Sequence, residues 1–141
     1  MSLIRRGIVV IAAVLSAACA AHAQIPSDEE MLINASALTK VAAAVESAVK
    51  FRDAPASLTE AELLSFATAH DPEMLEPFRG YSVRPRRVGM DTSVLLCTAD
   101  NKIGLLEDAG CSAESDAHLW KRSPSPSCDF HLNLTQVCST R

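Results

Sequence analysis

The chain is poor in aromatic residues, with six among 141: Phe51, Phe66, Phe78, Tyr81, Trp120 and Phe130. Proteins that bind single-stranded nucleic acid stack bases on aromatic platforms, and six scattered rings do not make one; they read as core anchors. No Cys-x-x-Cys is present, so a thioredoxin-like redox role lacks its motif. Neither G-x-S-x-G nor a phosphate or dinucleotide loop occurs, and no pattern calls for a cofactor. There are no internal repeats. The opening apolar run, Ile8 to about Ala18, is about half of the ~20 residues that a membrane-spanning helix needs, so no transmembrane span is expected once a signal is removed.

That short run has another reading. Arg5 and Arg6 precede it and small residues follow it, the three parts of an export signal. Ala21-His22-Ala23 fits an A-x-A cut before Gln24, which makes residues 1–23 a signal peptide and residues 24–141 a single exported domain. The alternative is lipidation at Cys19. The preceding Ser16-Ala17-Ala18 resembles a lipoprotein box, with Ser16 where Leu is usual. The twin arginine lacks the rest of a Tat pattern. The alanine-rich signal has bacterial character, which points to the periplasm or the extracellular space, with a lipoprotein at the membrane as the minority reading.

Basic charge is scarce as well. Removing the signal takes two of 13 basic residues and no acid, which leaves 11 against 17 and a net charge of −6. A general nucleic-acid binder is basic, so that class is set aside. Cysteine is absent from the first half of the mature chain, and Cys97, Cys111, Cys128 and Cys138 all lie in the last 45 residues. In an exported chain four such residues form two disulfides.

Two textures follow one another. In the helical part, about 27–78, Ser27 is an N-cap ahead of acidic residues, and Leu32, Ala35, Leu38, Ala42, Val45 and Val49 form a narrow apolar stripe, either packed on its own domain or offered to another helix. Thr59 with Glu62 forms a capping box and Leu58 with Leu63 a hydrophobic staple, which starts a second helix at Glu60 and runs it to about Ala69. Asp71-Pro72 opens a short helical turn. The sheet part, about 80–138, begins with strands at 81–84 and 92–98 about a turn near Gly89, and a return strand at 103–107. Pro85 assigns the first strand to an edge or breaks it. A short helix is expected around Leu119 and Trp120. Phe130, Leu132 and Leu134 alternate with polar residues as in a half-buried strand. The expected fold is therefore α+β: two N-terminal helices packed on a small, mostly antiparallel sheet stapled by two disulfides.

Geometry ranks the disulfide pairings. If 129–134 lies antiparallel to 103–107, Cys111 meets Cys128 and Cys97 meets Cys138, the nested arrangement expected here. Other chemistry is thinner. Cys128-x-x-His131 with Cys111, His118 and Cys138 resembles a zinc set, but oxidised sulfurs do not hold zinc, so no metal is assigned. Glu107 and Asp108 are neighbours in a strand, point to opposite faces, and read as a solvated strand end. No catalytic residue is assigned. The best lead is Arg79, Arg84, Arg86 and Arg87, four arginines within nine residues of an acidic chain. On an edge strand they could bind an acidic protein or envelope polymer, or merely solubilise the edge. The expected function is a non-catalytic binding protein, the alternative a small periplasmic enzyme or enzyme inhibitor using His118 or His131.

Overall fold

The structure, a computed structural model, describes residues 25–111 and 125–139. The signal segment with Cys19, and the expected helix around Trp120 with His118, lie outside them.

The elements are helices α1 (Asp28–Phe51) and α2 (Glu60–Thr68), a 3₁₀ turn (Pro72–Phe78), strands β1 (Tyr81–Val88), β2 (Asp91–Thr98) and β3 (Gly104–Ala109), and a short helix α3 (Leu134–Cys138). The Ser27 hydroxyl accepts from the Glu30 N–H, and three acids follow in the first turn of α1. The α2 capping box is complete: Glu62 N–H donates to Thr59 Oγ1 and Thr59 N–H to Glu62 Oε2. Those bonds hold the Glu62 carboxyl below its ordinary value, the Thr59 backbone contribution being the largest. Arg52 joins the ends of the two helices. Its guanidinium donates at 2.8 Å to the Ala67 carbonyl, a group that the end of α2 leaves without a helical partner, and at 3.3 Å to the Ala44 carbonyl within α1.

The apolar stripe of α1 is wider than the spacing suggested. Met31, Ala35, Leu38, Val41, Ala42, Val45, Ala48 and Val49 are buried, while Leu32 is 62% exposed. Leu32 fits the stripe by lying three residues before Ala35, but Met31, four before it, is the residue that turns inward. By length and composition α1 would pass as a membrane span, but this stripe is the floor of the main core, packed on Val94, Leu96, Leu105 and Leu106.

The three strands form an antiparallel sheet in the order β1-β2-β3. Gly89, φ 63°, opens the two-residue β1–β2 turn, where a primed hairpin needs a positive φ. β1 continues through Pro85, and being an edge strand it tolerates the missing donor. Thr39 meets Asp108 and Ala42 meets Gly110, so α1 runs in the same direction as β3. Gly110 is needed at that crossing, because a Cβ there would lie 2.9 Å from the Ala42 carbonyl oxygen and 2.5 Å from Thr92 Oγ1.

The C-terminal segment departs from expectation. Residues 125–138 add no strand to the sheet beyond one bridge, Gly104 with Ser125. They form a strap across the sheet face opposite α1 and end in α3. The disulfides are Cys97–Cys128 and Cys111–Cys138, with Cα separations of 5.7 and 5.6 Å. The nested pairing is thus overturned. The Gly104–Ser125 bridge is antiparallel, but beyond it Cys128 meets Cys97, the ladder partner of Gly104, Leu132 meets Glu107 and Cys138 meets Cys111, so the strap ascends with β3 instead of against it. The antiparallel assumption treated the strap as the next strand of a meander. Burial nevertheless alternates as expected, with Leu132 and Leu134 inside and His131 and Asn133 outside, because an extended segment lying on a surface has period two whether or not it joins a ladder.

Tyr81, the only tyrosine, begins β1 and donates its hydroxyl to Glu30 Oε1 at 2.6 Å. Burial, then the Glu30 carboxylate, pushes the phenol up from 10.0 to about 12. A raised folded value means that this contact stabilises fully below pH 10 and is lost as pH rises towards 12. Ultraviolet titration of phenolate absorbance should therefore give one transition near pH 12 in the folded protein, moving down towards 10 in Glu30→Gln.

Candidate functional site: the arginine edge and its strap

The alternation of β1 separates the arginines. Arg84 pairs with Leu95 and Arg86 with Ser93 in the ladder, so both lie on the strap face; Arg87, paired with Thr92, lies on the helix face. Arg84 donates through Nη1 to the Cys128 carbonyl at 2.8 Å and, through Nε and Nη2, bidentately to Glu60 at 2.9 and 3.0 Å. The bond to Glu60 holds the guanidinium above its ordinary value. Arg86 donates to the Leu132 carbonyl at 2.7 Å. The Phe130 ring lies against both guanidinium groups, 5.5 Å from Arg84 and 4.6 Å from Arg86. Arg87 donates to the carbonyls of Ala54 and Gly89. Arg79, before the strand, has a side chain 79% exposed and pairs with Glu76.

On the far side of the strap stands Glu107, fully buried. Its Oε2 accepts from the backbone N–H groups of His131, at 2.8 Å, and Leu132, at 3.1 Å, and its Oε1 lies 3.5 Å from Arg86. The reading of Glu107-Asp108 as a solvated strand end is corrected here. Both are 0% exposed, and they do point to opposite faces, Asp108 accepting from the Thr39 hydroxyl at 2.6 Å. A strap outside the ladder leaves its own N–H and C=O groups without sheet partners, and buried backbone groups require partners. Arg84, Arg86 and Glu107 provide them. Sequence reasoning missed Glu107 and Glu60. The available signal was a pair of carboxylates, Glu107 and Asp108, inside a strand whose other residues are apolar.

Recesses open along β1 on either side of the Arg84–Glu60 pair. One, of about 480 Å³, lies between Pro55, Leu58, Pro85 and Arg87. The other, of about 560 Å³, lies between Leu64, Leu75, Ser82 and Arg84. Both are open to solvent. The sulfurs of the zinc-like set are committed to disulfides, and among the described residues no cluster of metal-ligating side chains forms. Among the described residues, a serine and a histidine meet at Ser125 Oγ and His131 Nε2, 3.4 Å apart. That is longer than the reach of a working pair, and Ser125 is buried in its bridge to Gly104.

No protein-family model, no curated protein and no solved structure matches this chain.

Removing one partner of a buried, hydrogen-bonded charge leaves the others uncompensated, at a cost of about 3–5 kcal/mol. Glu107→Ala should lose that much stability in denaturant unfolding with both disulfides intact, and Glu107→Gln, which keeps an acceptor, about 1–3 kcal/mol. In both, amide exchange should accelerate at His131 and Leu132 before any change in α1.

Proposed function

We propose that this is an exported, disulfide-stapled, non-catalytic protein that binds an acidic macromolecule, a protein or an envelope polymer, along the β1 edge. Two disulfides suit folding in an oxidising compartment, and the opening of the chain has the layout of an export signal. The observation that carries the binding reading is the concentration of Arg79, Arg84, Arg86 and Arg87 at one sheet edge of an acidic chain, flanked by two open recesses. Guanidinium groups fixed by carbonyl bonds lose little side-chain freedom on meeting a carboxylate or phosphate. Arg84 already holds such a group bidentately in Glu60, so its outer face has the shape for one. Arg79 is the most exposed of the four, and its ion pair is with Glu76 in the preceding 3₁₀ turn.

Because Arg84 and Arg86 also hold the strap, reversing their charge would mix binding with folding. The direct test places a photo-crosslinking residue at Val88, the last residue of β1, and at Ala43 on the outer face of α1, in the exported protein. A discrete adduct from Val88, lost in an Arg79→Glu background that remains folded, supports the proposal. Adducts from Ala43 alone would sink it.

The enzyme alternative draws on Ser125 and His131. It requires covalent labelling of Ser125 by a fluorophosphonate probe, abolished in His131→Ala. The burial of Ser125 predicts no labelling.

A further inference from the structure

The two disulfides differ in their surroundings. Cys97 is 0% exposed and Cys128 5%. Cys128 sits beneath the Arg84 guanidinium, with Nη1 3.5 Å from its sulfur, and both cysteines pack with Leu95 and Phe130. Cys111 is also buried. Cys138 is half-buried, in the last turn of the five-residue α3, and packs on the edge of a small cluster of Ala109, Cys111, Leu132 and Leu134. Thiol–disulfide exchange requires a thiolate to reach one sulfur in line, so access decides which bond exchanges. Of these four cysteines, only Cys138 is partly exposed.

We propose that Cys138 is a thiol–disulfide exchange site, taking a dithiol reductant or dithiol oxidoreductase, and that exchange there releases α3 while the rest of the strap stays clamped. The attacking thiolate bonds to Cys138 Sγ, the bond to Cys111 breaks, and its electron pair leaves on Cys111 Sγ, which takes a proton. The second thiol of the reductant then displaces Cys138 as a thiol and leaves as a disulfide. Two electrons have passed from the dithiol to the Cys111–Cys138 pair.

The clamp explains why the release is partial. Upstream of α3, the strap is held by bonds that do not involve Cys111 or Cys138: Arg84 to the Cys128 carbonyl, Arg86 to the Leu132 carbonyl, Glu107 to two N–H groups, and Cys97–Cys128. Downstream of Leu132, Leu134 is the buried side chain of α3, Asn133 caps the helix by accepting from Gln136 N–H, and Cys138 ties it to Cys111. Five residues are too few for a helix to persist without tertiary contacts. The main core, with α1 on one face of β2 and β3, shares none of its buried members with the α3 cluster. Opening the second disulfide therefore frees α3 and uncovers Ala109, Cys111 and Leu134, with the sheet in place.

The test is graded reduction of the full chain with dithiothreitol, quenched by alkylation and mapped by mass spectrometry, with amide exchange measured on the trapped species. The expected first product carries alkyl groups at Cys111 and Cys138 with Cys97–Cys128 intact. Its α3 amides exchange at least tenfold faster, and those of β2 are unchanged. Cys111→Ser/Cys138→Ser should reproduce that pattern without reductant. A dithiol oxidoreductase lacking its resolving cysteine should be trapped on Cys138. Opening of Cys97–Cys128 first, loss of both disulfides in one step with exchange throughout the sheet, α3 amides as protected after reduction as before, or trapping at any other cysteine would each overturn the proposal.

Discussion

A buried carboxylate that binds backbone is the constraint around which this molecule is arranged. Glu107 has left water completely, and its compensation comes from two N–H groups of the strap and the guanidinium of Arg86. A charge in that position is tolerable only while the strap is there. The strap in turn has no ladder to satisfy its backbone and depends on Glu107, Arg84 and Arg86 for its partners. Each side would be costly to bury alone. Together they close the second face of a three-stranded sheet that is too small to be left bare on one side.

Three layers result. The α1 stripe covers one face of the sheet with aliphatic side chains, and the strap covers the other with a thin mixture of sulfur, one phenyl ring and charge-assisted hydrogen bonds. The layers differ in kind because the first is made by a 24-residue helix with a continuous apolar face, while the second is an extended segment with a side chain turned inward only at every other residue. Two disulfides at its ends restore what the sparse packing lacks. The arginines thus have two roles along one strand. Arg84 and Arg86 are integral to the strap layer, whereas Arg79 lies outside it. Arg84 does both, with one arm on the strap and the other on Glu60 at the mouth of the recesses.

Much of the first half was legible before any coordinates. Ser27, the Thr59–Glu62 box and the turn at Gly89 are patterns whose partners lie within a few residues, and each formed where the spacing placed it. The α+β class and the edge position of β1 followed from the same kind of signal. The candidate site was legible only as a list of arginines. That Arg84 would reach Cys128, 44 residues away, and that Glu107 would receive the strap, had no local signature.

The sequence by itself determined the ends of the helices, the turns, the inward and outward alternation of the tail, and that four sulfurs in the second half pair as disulfides. Those properties depend on interactions between near neighbours or on chemistry that is indifferent to position. Only the tertiary structure decided which sulfurs meet, because the pairing follows the direction in which the strap crosses the sheet. Either direction keeps the same residues inward. What differs is whether Glu107 and Arg86 find backbone groups opposite them, and that matching is made across the whole fold.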